Sequence, residues 1–140
     1  METSTVRQRV LATLDRVKRE AKERRPRVDE AARAFDVFLE RVAAPLCRQL
    51  VQILKAEHHL FAVFTPSGAV RLASERSGDD YVELTLDTSG DVPCVVGQTR
   101  RVRGGRVLDT VRPIRVCPVG DLTEDEVLEF LLQELAELVR

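Results

Sequence analysis

The sequence predicts a single α+β domain over residues 1–140. It comprises a long, kinked N-terminal helical segment, a four- to five-stranded antiparallel β-meander, and a C-terminal amphipathic helix packed on the sheet. Three observations lead there. Apolar residues recur at steps of three and four through residues 4–57. Between residues 60 and 116 they alternate, or form short blocks bounded by Gly, Pro, Ser and Asp. A helical period returns after residue 122. A chain of 140 residues is long enough to bury a core of its own.

Residues 4–25 carry a narrow seam of Val6, Val10, Leu14, Val17 and Ala21 on an otherwise polar helix. Steps of three and four are the coiled-coil period, and so narrow a stripe buries too little to hold a helix alone. These five residues are therefore the expected self-association surface, and residues 1–57 the expected dimerisation arm. Arg16, Lys18, Arg19, Lys22, Arg24, Arg25 and Arg27 crowd the same helix. A solvated helix face explains them more simply than a nucleic-acid site. Pro26 lacks a donor and biases Arg25 away from helix, so a break or kink is expected near residues 24–27.

A second helical pattern follows in Val28, Ala32, Phe35, Leu39, Val42, Leu46, Leu50 and Ile53, widened by Phe38, Val51 and Leu54 into a core-facing surface. Pro45 lies inside it, and because the apolar phase carries from Val42 to Leu46, one kinked helix is expected. His58 and His59 stand where helix gives way to strand. Neighbours on a strand point to opposite faces, so the pair suits a helix end better than a metal.

Leu60–Thr65 is apolar on both faces and reads as a strand covered on both sides. Pro66-Ser67-Gly68 turns the chain into Ala69–Glu75, where Val70 and Leu72 face in. Tyr81–Asp87 alternates cleanly, with Val82, Leu84 and Leu86 inward. The last hairpin runs from Cys94–Arg103 through Gly104-Gly105 into Arg106–Val116. A two-residue primed turn there sets Arg103 against Arg106, Arg100 against Asp109, Val96 against Pro113 and Val95 against Ile114. Its tip carries Arg100, Arg101, Arg103 and Arg106, the expected anion or nucleic-acid contact if the protein has one. Charge that keeps a sheet edge from pairing is the plainer explanation. Thr123-Glu124-Asp125-Glu126 is a capping box, Leu122 and Val127 form its hydrophobic staple, and Leu128, Leu131, Leu132, Leu135, Leu138 and Val139 make a wide apolar face behind it.

Composition narrows function. The chain is 44% hydrophobic and 32% charged, with a net charge of −1 and few aromatic rings. That argues against disorder and against a base-stacking surface. Lys and Arg exceed Asp and Glu by 13 to 9 in residues 1–57, whereas residues 119–140 hold 1 against 7. A basic head and an acidic tail are expected to attract one another, within a chain or between two. Cys47, Cys94 and Cys117 are scattered and odd in number, which suits a reducing, cytoplasmic setting. No phosphate loop, zinc-protease or serine-hydrolase motif appears. A non-catalytic, cofactor-free interaction protein is therefore expected, of adaptor or chaperone-like type. Its partner is first itself, with another protein conceivable beside it. Nucleic acid is the alternative partner, and no membrane is expected.

Overall fold

Helical hydrogen bonding begins at Thr3 and continues, with one irregular turn, to Ala56. The computed structural model describes all 140 residues, which fall into two units, Met1–Glu30 and Ala31–Arg140. From Thr3 onward the first unit is helix, the larger part of α1 (Thr3–Phe38). Pro26 lies inside α1 without interrupting it, so of the break or kink expected near residues 24–27 the break does not form. Proline there removes one bond, to the carbonyl of Lys22. That turn is open to solvent, so water can satisfy the carbonyl. No glycine or turn-forming residue nearby offers the chain another path.

The irregular turn comes later, at Leu39–Ala43, where the helix widens to π geometry before α2 (Ala44–Ala56). The Ala44 amide donates to the Leu39 carbonyl, five residues back. Pro45 would otherwise press its ring on the carbonyl four residues earlier, and the wider turn relieves that clash. The extra residue also advances the phase of the helix. The buried stripe passes from Phe35 and Phe38 to Ala43, Cys47 and Leu50, and Ile53, expected inside, is 62% exposed. The helix ends in a Schellman arrangement. His59 N–H donates to Leu54 O (2.8 Å), His58 N–H donates to Lys55 O (3.0 Å), and His58 takes φ +66°, the place glycine usually fills.

Five strands follow in purely consecutive antiparallel order: β1 (Phe61–Phe64), β2 (Ala69–Ser74), β3 (Tyr81–Asp87), β4 (Cys94–Arg103) and β5 (Arg106–Pro113). Pairing across the sheet puts Phe61, Val70, Leu72, Val82, Leu84 and Val95 on one face, where they meet α2 and α3 (Glu124–Val139) in the core. The other face carries Phe64, Arg71, Tyr81, Glu83, Gln98, Arg100 and Asp109. Phe64 is 54% exposed, so β1 is not covered on both sides as its composition suggested. The last strand stops at Pro113, which has no amide to donate. One more bond, Ile114 N–H to Val95 O at 3.1 Å, ties the chain before it leaves the ladder.

The capping box forms as expected: Glu126 N–H donates to Thr123 Oγ1 (3.2 Å) and Thr123 N–H donates to Glu126 Oε1 (3.1 Å). These bonds, the backbone donor at Thr123 foremost, hold the Glu126 carboxyl below its ordinary value. Gly97 fixes how closely α3 can lie on the sheet. A Cβ at that position would collide with Cε1 and Cζ at the edge of the Phe130 ring, so only glycine leaves room for the ring where it lies.

Candidate functional site

The arginine hairpin is built by its turn. Gly104 and Gly105 take φ of +59° and +76°, which a two-residue primed turn requires. The resulting register pairs Arg103 with Arg106, Arg100 with Asp109, and Val96 with Pro113. Side chains alternate along β4, so Arg101 and Arg103 share the helix-covered face with Gly97 and Thr99, while Arg100 points the opposite way.

On the helix-covered face the arginines meet α3. Arg101 Nη1 lies 3.2 Å from Glu137 Oε2. Arg103 Nη1 donates to Asp80 Oδ2 (2.7 Å) and its Nη2 donates to the Leu138 carbonyl (2.9 Å). Arg112 Nε donates to Glu134 Oε1 (2.9 Å), and its guanidinium covers the Phe130 ring at 4.5 Å. Arg115 Nε pairs with Glu126 at 2.7 Å. The physical logic is that of a helix end. The last turn of α3 contains no basic residue, and its outward carbonyls carry the negative end of the dipole. Arg103 supplies that missing positive charge from the neighbouring hairpin. Asp80 is buried and is satisfied by Arg103 and by the Val102 amide, which donates to Oδ1 at 2.9 Å.

On the opposite face Arg100 and Asp109 pair at 2.7 Å, and Gln98 Nε2 donates to the same carboxylate at 3.1 Å. Bonding from Arg100 first, then Gln98, lowers the Asp109 carboxyl from its ordinary value. Arg71 pairs with Glu83 at 2.7 Å and stacks on Tyr81, 4.0 Å from the ring centroid. Of the four tip arginines, Arg100, Arg101 and Arg103 are thus engaged within the chain, and Arg106 alone is exposed with no ion pair. The acidic tail finds its counter-charges here, in Arg101, Arg112 and Arg115.

Two hollows adjoin these residues. One of about 560 Å³ is bounded by Thr99, Arg101, Leu108, Arg112, Glu134 and Glu137, and the Thr99 hydroxyl is buried with no hydrogen-bond partner. The other, about 830 Å³, opens on the far face among Ala62, Phe64, Pro66, Arg71 and Ala73.

The N-terminal seam is a different kind of surface. Val6, Val10, Leu14 and Val17 are 44–52% exposed, Ala21 is exposed too, and Leu11 adds a further 53%-exposed side chain. Arg16–Glu20 (3.9 Å) and Arg19–Asp15 (3.4 Å) are solvated pairs along the helix that contribute little.

The thiols are internal. Burial raises the Cys47 thiol to about 11, and burial likewise raises Cys94 and Cys117 above their ordinary value. His58 and His59 border a cleft with Leu60, Ser77, Asp80 and Val139, and no cysteine lines it. No group of three or more His, Cys, Asp or Glu side chains is placed to hold a metal ion, and no helix is long and apolar enough to cross a membrane. No family model, curated protein or solved structure matches this chain.

The capping box forms where the sequence sets it, and the seam residues expected to self-associate are exposed. Sequence reading placed the tip arginines on the hairpin. It missed Asp80, Glu134, Glu137 and Gly97. Strand parity was the available signal, because it separates Arg101 and Arg103 from Arg100 and turns them toward whatever covers Val95 and Gly97.

Proposed function

We propose that this protein is a non-catalytic interaction protein of adaptor or chaperone-like type, which self-associates through its N-terminal helix. The observation that carries this is the seam of Val6, Val10, Leu14, Val17 and Ala21, exposed along its whole length on a helix with nothing packed over it in its own unit. Half-burying such side chains is worth about 1 kcal/mol each. Eight large ones from two copies offset an association cost of at least about 4 kcal/mol, which favours a concentration-dependent complex over a permanent one. A reducing, cytoplasmic setting suits the three unpaired thiols. Light scattering tests the proposal. The intact chain should gain mass with concentration, and Leu14→Asp should abolish that gain. A wild-type chain that stays monomeric at high concentration would end it.

Nucleic acid is the second reading. It is supported by Arg106 and by Arg7, Arg9, Lys18, Lys22, Arg25 and Arg27, exposed cations for which no ion pair forms. Replacing Arg106 with Ser, together with Arg25 and Arg27, tests the exposed cations without touching the contacts that Arg101 and Arg103 make within the chain. A loss of affinity together with a shallower salt dependence supports this reading, and no binding of the wild type at low salt removes it.

A further inference from the structure

The seam needs a receptor, and we infer that it is the solvent-facing stripe of α3 on a second copy of this chain. The inference rests on the self-association proposed above and names the surface that receives the helix. Two features of α3 carry it. The first is an apolar stripe beyond the core face: Leu128 is half-buried, Leu132 is 45% and Val139 is 40% exposed, and buried Leu135 borders them. Leu128, Leu132, Leu135 and Val139 advance by four, three and four residues. Val10, Leu14, Val17 and Ala21 advance by the same steps. Two stripes of equal length and equal period are what interlocking of side chains between helices requires.

The second feature is charge. α3 holds six Asp/Glu and no Lys/Arg. Three of those acids, Glu126, Glu134 and Glu137, are engaged by Arg115, Arg112 and Arg101. The other three, Glu124, Asp125 and Glu129, are exposed with no ion pair, and helical spacing sets Asp125 and Glu129 along the outer border of the stripe. Residues 3–30 carry nine Lys/Arg against five Asp/Glu, and the same spacing sets Arg7, Lys18, Lys22 and Arg25 along one border of the seam, where the acid Asp15 is already paired with Arg19. Seam against seam brings two basic helices together, whereas seam against α3 sets basic border against acidic border. The second copy is therefore the occupant that complements both the apolar spacing and the charge.

Complementation in the intact protein separates the alternatives. Leu14→Asp disables the seam and Leu132→Asp disables the stripe, so each variant alone should be monomeric by light scattering. Mixed together, they retain one sound seam and one sound stripe and should form a mixed dimer. Asp125→Lys with Glu129→Lys, at exposed positions that make no ion pair, should weaken association roughly ten-fold at low salt, while Lys in the first turn of α3 costs the helix only about 0.3–1 kcal/mol. Adding Lys18→Glu with Lys22→Glu to that variant should recover most of the loss. If wild type associates and Leu14→Asp does not, while Leu132→Asp and the Asp125/Glu129 reversals associate like wild type, self-association stands and the α3 receptor falls. Failure of the mixture or of the charge swap to restore association also overturns the receptor. A monomeric wild type overturns both.

Discussion

Gly97→Ala would push a methyl group into the space of the Phe130 ring. Phe130 is 4% exposed and cannot leave without emptying part of the core. Arg112 occupies its outer side, 4.5 Å from the centroid, and Leu84 Cδ2 would lie 3.4 Å from the new methyl. The ring must retreat by roughly an ångström, either by leaving its rotamer or by lifting α3, and overpacking of this kind costs about 1–3 kcal/mol. Disturbing the Arg112–Phe130 contact adds about 0.5 kcal/mol. Alanine returns about 0.5–1 kcal/mol by restricting the unfolded chain. The expected net loss is about 2 kcal/mol, a fall of about 8 °C in Tm for a unit of this size. Urea and thermal denaturation followed by circular dichroism would measure it. Phe130→Leu in the Gly97→Ala background should couple, with the double variant losing about 1 kcal/mol less than the two singles together. An unchanged or higher Tm for Gly97→Ala, or strict additivity, would refute the account of how α3 is seated.

Arg103→Ala should cost about 2 kcal/mol in denaturant, because it strands the buried Asp80 carboxylate and uncaps the Leu138 carbonyl. Arg106→Ala, which touches nothing charged, should stay within about 0.5 kcal/mol of wild type. Thr99→Val should be neutral or raise stability by up to about 1 kcal/mol, since the hydroxyl it removes is buried and unpartnered. Acid should weaken the fold through Glu126 and Asp109, whose carboxyls lie below their ordinary values of 4.5 and 3.8. A carboxyl lowered by folding contributes its full stability above the ordinary value and loses it as pH falls through the lowered one. Tm should therefore hold from neutral pH to about pH 5 and drop below pH 4.5, and Glu126→Gln should reduce that drop.

Local chemistry made much of this fold readable. Gly104-Gly105 can serve only a few turn geometries, so the register from Arg103–Arg106 down to Val95–Ile114 followed from counting outward. Thr123 and Glu126 announced the start of α3 because a capping box demands that spacing. Other features depend on partners remote in sequence. The order of apolar residues could not reveal that the turn at Leu39–Ala43 would widen, because that turn answers a clash at Pro45 and then shifts Ile53 out of the core. Pro26 carries the same local signal as a helix breaker, yet α1 runs through it where solvent is at hand. The arginine cluster looked like an anion site because Glu137 and the Leu138 carbonyl lie more than thirty residues downstream of Arg101 and Arg103, and Glu134 lies 22 residues beyond Arg112. Only the docking of α3 brings them within reach.

That distance bears on how the molecule is made. Every strand pairs with its neighbour in sequence, so the meander can assemble from the N-terminal side as the chain emerges from the ribosome. When β5 closes the sheet, Phe130, Glu134, Glu137 and Leu138 have yet to appear. For that interval Arg101 and Arg112 lack their partners on α3, beside an open apolar floor of Val82, Leu84 and Val95, and Arg103 holds only Asp80. The nascent protein is then more basic and stickier than the finished one. A stop codon anywhere before residue 130 would make that transient state permanent, so truncated products are expected to be insoluble and prone to bind polyanions even though most of their sheet is intact.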